Sequence, residues 1–489
     1  MTIKNMTEAL DYIHGLYRFG SKPGLERISR LLELMGNPQD GLRFIHIAGT
    51  NGKGSTAAFV SALLREAHCR TGTYISPYLE DFRERISIDG EMIPPEDLVL
   101  EMASVKEMLE GQISPDADGE TEMPTEFEVV TALGLNYFAR MGVDYVVLEV
   151  GLGGRFDATN IIEGPEVAVI TNIDLDHTSV LGDTIPQIAW EKAGIIKKGA
   201  PVVTAEQDAR ALDVILERAK DLNSPVIRVG TDVTWEVTGT GKWGSEFNLK
   251  GPGYRYTALR TQMIGEHQVR NAATAVAVFN LLADVAGRGR TGGEGGNEGG
   301  GEGDDSGLVR LGLQKTRWPG RLELIEGASG QPDILLDGAH NTAGAQVAAR
   351  ALRAHFMGDE YQRRAMVFGV LGDKNAQSML GQLVTGFDDI IVTQPDIPRA
   401  VGALALEGVA RDALAETRHS ADVTSVIDYR EAIERAVTTV GPDGLVFVAG
   451  SLYLTGPVRA YLRETKRIRS HSEQGASNDR RGEVRRFES

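Results

Sequence analysis

Residues 44–60, FIHIAGTNGKGSTAAFV, limit what this chain can fold into more than any other stretch. A short apolar run breaks into a glycine-rich turn with one lysine and two hydroxyls, and an Ala/Val/Leu-rich helical pattern follows through residues 57–65. Such a strand–loop–helix unit turns backbone N–H groups and a helix N-terminus toward anionic oxygens, and a lysine adds mobile positive charge. Gly49, Gly52 and Gly54 let the backbone approach phosphate where a Cβ would clash. The cradle would consist of Gly49, Thr50, Asn51, Gly52, Lys53, Gly54 and Ser55. Its spacing departs from the common pattern G-x-x-x-x-G-K-[ST], because Ile47 stands at the first glycine and Gly54 separates Lys53 from Ser55. A narrower motif has to explain it. The competing reading is a glycine-rich turn that binds nothing.

At 489 residues the chain is long enough for roughly two or three domains. No run of about 18 uninterrupted apolar residues occurs, and the N-terminal residues lack the apolar core of a signal peptide. The single cysteine, Cys69, excludes an intrachain disulfide and a cysteine metal cluster, and reads as a small buried hydrophobe. A cytoplasmic protein is expected. The net charge of −18 disfavours nonspecific binding to nucleic acid or an anionic membrane.

Short apolar runs alternate with helical patterns over the first 280 or so residues. Residues 44–48, 145–150, 167–171 and 202–204 read as buried parallel strands, with helices over 126–140 and 185–193. This implies an α/β fold with a doubly wound, mainly parallel sheet and ligands at the C-terminal strand ends. The loops 49–55, 151–160 and 172–182 follow those ends. Residues 288–307 are glycine-rich and acidic, and read as a flexible insertion in a loop of the first domain, with a helical pattern resuming at 308–314. Strands at 334–336, 364–369, 390–393 and 445–449 belong to a second, smaller α/β domain. The expected division is 1–317, 318–465 and a disordered polar tail over 466–489.

Polar residues gather in those loops. Glu149 ends an apolar strand, where a carboxylate is expensive unless paired or bound to metal, and GLGG follows it directly. A structural ion pair or a Mg²⁺ ligand would each account for it. Arg155, Asp157 and Asn160 share the next loop, while Asn172, Asp174, Asp176, His177 and Thr178 share another. Lys192 lies in the mainly apolar helix end IAWEKAGII, where a free ammonium is costly. It would pair with Glu191, snorkel, contact phosphate, or be carbamylated into an anionic metal ligand. In the second domain, strand ends carry Asp337, His340 and Asn341, then Asp373 and Lys374, then Ser451 and Tyr453. A strand-end Asp or Ser is often only a helix cap, but three such ends suggest a second ligand face.

Taken in order, IAGTNGKGST, SPYLEDFRERISIDG, EVGLGGRFDATN, TNIDLDHTSVLG with AWEKAGIIKKG, GEHQVRNA, TRWPGRLE, DGAHN and GSLYLTG resemble the folylpolyglutamate synthase/dihydrofolate synthase family of the Mur ligase superfamily. The glycine between the P-loop lysine and serine is a mark of that family. The resemblance implies a P-loop-type ATPase domain followed by a Rossmann-like domain. It also implies a monomeric ligase that phosphorylates a pterin or folate carboxylate with ATP and then joins it to L-glutamate. Lys53 and its loop would hold the β/γ-phosphates. Ser55, Ser76 and Glu149 would bind one Mg²⁺, and Glu149, His177 and carbamylated Lys192 a second. Asn271, Arg321 and Asp337 match positions that contact ATP, and His340 and Ser451 would lie near glutamate. Thr125, Phe127, Asp157 and Ala158 match positions lining a pterin pocket in the dihydrofolate synthase type. Two alternatives remain. Relatives acting on UDP-linked precursors carry an extra N-terminal domain, for which too little chain precedes the P-loop. A P-loop ATPase or GTPase switch would leave the acid–histidine–lysine set unused.

Overall fold

Strands of residues buried on both faces need helices on both sides, and the computed structural model has that arrangement. It describes residues 3–16, 24–112, 123–282, 305–328 and 330–467. Eight strands form the first sheet: β1 (Phe44–Ala48), β2 (Thr71–Tyr74), β3 (Ile86–Ile88), β4 (Glu91–Met92), β5 (Tyr145–Glu149), β6 (Val167–Ile170), β7 (Val202–Thr204) and β8 (Val226–Arg228). Their order is β4-β3-β2-β5-β1-β6-β7-β8. The run from β2 to β8 is parallel, and β3 and β4 add antiparallel edges. Val146 and Leu148 of β5 pack into one core with Leu133 and Phe138. Ala168 and Ile170 of β6 pack into another with Ile188, Ala189 and Ile215. β1 sits centrally, with β5 and β6 on either side. The chain runs from β1 out to β2 and back to β5 on one side, then crosses over to β6 on the other, and such a reversal opens a crevice at the C-terminal strand ends.

A three-stranded sheet follows, β9 (Thr234–Gly241), β10 (Gly244–Gly251) and β11 (Tyr254–Thr261), in the order β11-β10-β9. The last sheet holds β12 (Glu323–Ile325), β13 (Asp333–Leu336), β14 (Arg364–Phe368), β15 (Asp389–Val392), β16 (Asp422–Ser425) and β17 (Leu445–Ala449). Its order is β12-β13-β17-β14-β15-β16, parallel except for β12. Successive residues feed opposite cores: Met366, Phe368 and Phe447 one, Ala365, Val367 and Val446 the other. The chain divides into two units, the second beginning at Arg317 and also taking Val237–Phe247 and Arg260–Val269.

Among the described residues no helix is long and apolar enough to cross a membrane. Cys69 is buried. The helix Asp305–Lys315 begins inside the stretch read as a flexible insertion. Val309 and Leu313 are buried, and Gly312 lies so close to Leu63 of the helix Lys53–Glu66 that a Cβ would meet its side chain at 2.8 Å. Residues 288–304 and the tail 468–489 lie outside the described residues.

Arg27 grips Glu128 through two contacts, Nη2–Oε1 at 3.0 Å and Nε–Oε2 at 3.1 Å, and both side chains are more than nine-tenths buried. Glu128 also accepts the Thr125 N–H and so closes the capping box of the helix Glu126–Met141. Arg27→Met leaves a buried carboxylate uncompensated and is expected to cost about 3–5 kcal/mol. Urea unfolding checks this: the midpoint should fall at constant slope, and an unchanged midpoint would refute it.

Candidate active site

The turn after β1 is fixed by its neighbours. Gly49 has φ of +149°, and a Cβ there would run into the Thr171 hydroxyl at the end of β6. Thr50 N–H donates to Asn172 O at 2.8 Å. Its hydroxyl donates to Asp174 O at 3.1 Å and accepts from Asp174 N–H at 2.9 Å. The Asn271 amide lies against Gly52, its Oδ1 2.9 Å from where a Cβ would stand. No side chain caps the helix Lys53–Glu66, and a helix N-terminus is the end that favours an anion. Lys53 Nζ folds back over the loop and donates to Gly49 O at 3.1 Å and Thr50 O at 3.2 Å. Ser55 is buried in the first helical turn.

Lys192 reaches the same loop from the other direction. It lies near the end of the helix Ile185–Ala193 and donates to Gly49 O at 2.7 Å. Glu191 is not its partner, since Arg155 takes that carboxylate at 2.7 Å. Only 5% of Lys192 is exposed. Burial, reinforced by the Lys53 ammonium, pushes its pKa down to about 7, against the pull of Asp176 and Asp157. A large share of this amine is therefore unprotonated near neutral pH, which an ordinary surface lysine never achieves.

Glu149, the last residue of β5, is buried and stands level with Ile47 of β1. Ser76 N–H donates to its Oε2 at 3.4 Å, and the Ser76–Pro77 peptide is cis. His177 adopts left-handed backbone (φ +50°) ahead of the short helix Thr178–Leu181. Its N–H donates to Asp176 Oδ1 at 2.9 Å, and its ring Nε2 lies 3.9 Å from that oxygen. Among the described residues, no three His, Cys, Asp or Glu side chains are grouped as a metal set. The oxygens of Ser55, Ser76 and Glu149 are hard donors of the kind Mg²⁺ prefers, with waters and phosphate completing its shell. Lys192 joins a metal set only if its amine becomes a carbamate.

The loop after Glu149 is tied down from several sides. Asp157 Oδ2 accepts from Leu152 N–H at 2.8 Å, and Oδ1 accepts from the Thr159 N–H at 3.0 Å and from the Thr159 hydroxyl. Burial pushes the Asp157 carboxyl up despite these bonds. Asn160 Nδ2 donates to Arg155 O at 2.9 Å and Gly194 O at 3.3 Å. Gly151 lies flush against the Phe127 ring, and Phe127 meets Tyr74 edge-on at 6.2 Å. Thr125 caps its helix, and Ala158 belongs to the core.

Two buried residues here escape a reading of sequence. His46 is completely buried in β1, with Nε2 2.9 Å from Thr159 Oγ1. Glu206, after β7, accepts from the N–H groups of Ile173, Gln207 and Asp208, and so pins the loop that clamps Thr50. A histidine inside an apolar strand was the available signal for the first. Glu206 had none beyond its place after a strand.

The second unit builds its own cluster at the ends of β13 and β17. Asp337 accepts from Leu322 N–H at 2.9 Å and Ala339 N–H at 2.8 Å. Burial raises its carboxyl, opposed by Arg321 and His340 nearby. His340 Nδ1 donates to Gly338 O at 3.2 Å. Gly450 N–H donates to Ala339 O at 3.1 Å, and Thr455 Oγ1 donates to Asp337 O at 3.1 Å, joining the two loops. Ser451 is buried and caps the helix Leu452–Glu464 through Tyr453 N–H at 3.1 Å.

Comparison with known proteins agrees with both units. Residues 47–279 match the Mur ligase middle domain, and residues 320–452 match the Mur ligase glutamate ligase domain. The dihydrofolate synthase/folylpolyglutamate synthase of Bacillus subtilis is 37% identical over 459 residues, covering 93% of this chain and 99% of that one. A Mycobacterium tuberculosis folylpolyglutamate synthase solved with ADP and AMPPCP superposes with a TM-score of 0.81 at 32% identity, over 95% of this chain and all of that one. Escherichia coli FolC in complex with DHPP and ADP gives 0.78 at 26%, over 95% and 99%. With both domain families matched in order and an identity of this size along almost the whole length, the chain belongs to the folylpolyglutamate synthase/dihydrofolate synthase family of Mur ligases.

Proposed function

We propose that this ATP-dependent ligase joins L-glutamate to the carboxylate of dihydropteroate, of a reduced folate, or of both. The observation that carries the reading is the convergence of Lys53 and a low-pKa, buried Lys192 on Gly49 O. The acceptor carboxylate attacks the γ-phosphorus, ADP leaves, and the glutamate amine then displaces phosphate from the acyl carbon. Lys53 and the N–H groups of residues 49–55 would orient the β/γ-phosphates and offset charge developing in the transfer. Mg²⁺, held by Ser55, Ser76 and Glu149 at one site and by Glu149, His177 and carbamylated Lys192 at another, would neutralise phosphate and carboxylate oxygens. Asn271, Arg321 and Asp337 would hold the nucleotide, and Ser451 the incoming glutamate. His340, whose Nδ1 donates to Gly338 O, would lie near the incoming glutamate and act on its amine. Phe127 offers an edge and Asp157 an acceptor to a 2-aminopterin ring, with Thr125 and Ala158 beside them. The enzyme would act as a cytoplasmic monomer on small molecules alone.

The test is direct. Purified protein receives ATP, Mg²⁺ and labelled L-glutamate with dihydropteroate or tetrahydrofolate separately. Labelled product should form with at least one acceptor, and incorporation with neither would overturn the assignment. Carbamylation has its own prediction. Protein held in CO₂-free buffer should lose activity and regain it when CO₂ is supplied, and at a fixed dissolved CO₂ concentration the recovery should quicken as pH rises through about 7, because only the unprotonated Lys192 amine adds CO₂. ¹³C-bicarbonate should give a carbamate resonance absent from Lys192→Arg, and a resonance that persists in the variant would refute it.

A further inference from the structure

The helix Leu452–Glu464 packs Leu454, Val458 and Leu462 into one core of the last sheet. Beside that apolar stripe runs a buried polar one at four-residue spacing, Ser451, Thr455 and Arg459. The first two serve the cluster at the ends of β13 and β17. Arg459, only 3% exposed, grips the carboxylate of Glu323 at the start of β12. Its Nε stands 2.8 Å from Oε2 and 3.0 Å from Oε1, and its Nη2 stands 2.8 Å from Oε1. Glu323 Oε2 in turn accepts the Gly320 N–H at 2.9 Å. Stability alone is a poor reason for such a pair, since apolar residues of similar volume do as well.

The turn that the pair holds is strained. Arg321 stands between two left-handed residues, Gly320 (φ +71°) and Leu322 (φ +46°). Glycine adopts that backbone freely, but leucine does so only where its surroundings impose it. Gly338 N–H donates to Gly320 O at 2.8 Å, and Leu322 N–H donates to Asp337 Oδ2 at 2.9 Å. The Leu322 side chain is buried with Ile264 and Leu335. The Gly320–Glu323 bond completes the set, and its charged acceptor makes it stronger than a bond between neutral groups. Held this way, the turn lays the Arg321 guanidinium over Gly338, with Nη1 3.2 Å from where a Cβ would stand. If Leu322 left the left-handed region, the rotation would swing Gly320 and Arg321 relative to β12.

We propose that Arg459 and Glu323 are positioning residues for the nucleotide: the pair holds the Gly320 N–H, keeps the strained turn in its left-handed form, and so sets where Arg321 meets ATP. This rests on the reading of Arg321 as a nucleotide contact. Neither member of the pair touches substrate. Their effect is preorganisation, because a turn free to relax would present the guanidinium in the binding geometry for only part of the time.

The full-length protein and its variants are compared by their KM for ATP, their KM for the pterin or folate acceptor, and their urea midpoint. Glu323→Leu combined with Arg459→Met replaces the pair by apolar side chains and leaves the Gly320 N–H without its acceptor. The midpoint should stay near wild type, as expected when both charges go together. The ATP KM should rise roughly tenfold, the size of one hydrogen bond to a charged group, while the acceptor KM shifts less than about twofold. Arg459→Lys keeps a cation on Glu323 and should leave the ATP KM within about threefold of wild type. If the double variant does not fold, Glu323→Gln carries the same prediction, since its amide turns one acceptor oxygen into a donor that faces Arg459 or Gly320. In an Arg321→Met background the double substitution should change the ATP KM less than about twofold, an interaction that a general packing defect would not produce. An unchanged ATP KM, equal rises for both substrates, or additive effects would overturn the inference and leave the nucleotide reading of Arg321 standing. If Arg321→Met alone leaves the ATP KM unchanged, that reading falls and takes the inference with it.

Discussion

Lys192→Met should abolish glutamate ligation and, in CO₂-free buffer, make the protein more stable. The two effects have one origin. Lys192 is buried, and its pKa of about 7 lies far below the ordinary lysine value. Between those two values the unfolded chain holds a proton that the folded chain does not, so stability rises with pH across that window. Below about pH 7 the full cost of the buried charge is present, and toward pH 10.5 it disappears. Methionine keeps the aliphatic volume and removes the charge, so its stabilising effect should be greatest below pH 7 and fade as pH rises. The bond to Gly49 O is lost, which subtracts only about 1 kcal/mol. Activity should fall roughly 10³-fold or more, the size of a lost metal ligand at a transferring phosphoryl group. Thermal unfolding at pH 6.5 and 9.5, beside a steady-state assay, checks both halves. Wild-type turnover would refute the metal-ligand role, and a lower melting temperature at pH 6.5 would refute the buried-charge reading.

Lys53→Met should lower kcat roughly 10²–10³-fold while the fold persists, since one charged donor to the transferring group is removed. The variant has a second, quieter consequence. The Lys53 ammonium is the charge that, after burial, holds the Lys192 pKa down. Removing it should raise the Lys192 pKa, moving the pH midpoint of carbamate formation upward in ¹³C-bicarbonate NMR. A midpoint that stays near 7 would mean that the two lysines do not sense each other. A kcat near wild type would mean that Lys53 only shapes its loop.

The central sheet was legible because its chemistry is local. β1 is apolar at nearly every position and ends in glycines that only a close backbone approach explains, so strand, turn and helix all follow from one stretch. β5, β6 and β7 share the apolar run, and β5 also leads into glycines. β3 and β4 are too short to show a period, and half-exposed β8 and the Thr- and Gly-containing β2 offer no continuous apolar run. β9 to β11 are less plain: burial alternates along β10 and the turn into β11 holds Pro252 and Gly253, but β11 breaks its alternation around Ala258, whose φ is +50°. The site residues followed from motif order, but what each one touches did not. Lys192 meets Gly49 across 143 positions of chain, and Arg27 meets Glu128 across 101. A buried polar residue such as His46 or Glu206 is defined by those distant partners, and its own neighbours in sequence say little about it.

The most direct measurement follows oxygen. The central claim is that the γ-phosphate of ATP passes to the acceptor carboxylate before glutamate arrives. An acceptor labelled with ¹⁸O in that carboxylate should deliver one labelled oxygen to the inorganic phosphate released with each amide formed. Amide formation with unlabelled phosphate would contradict activation through an acyl phosphate.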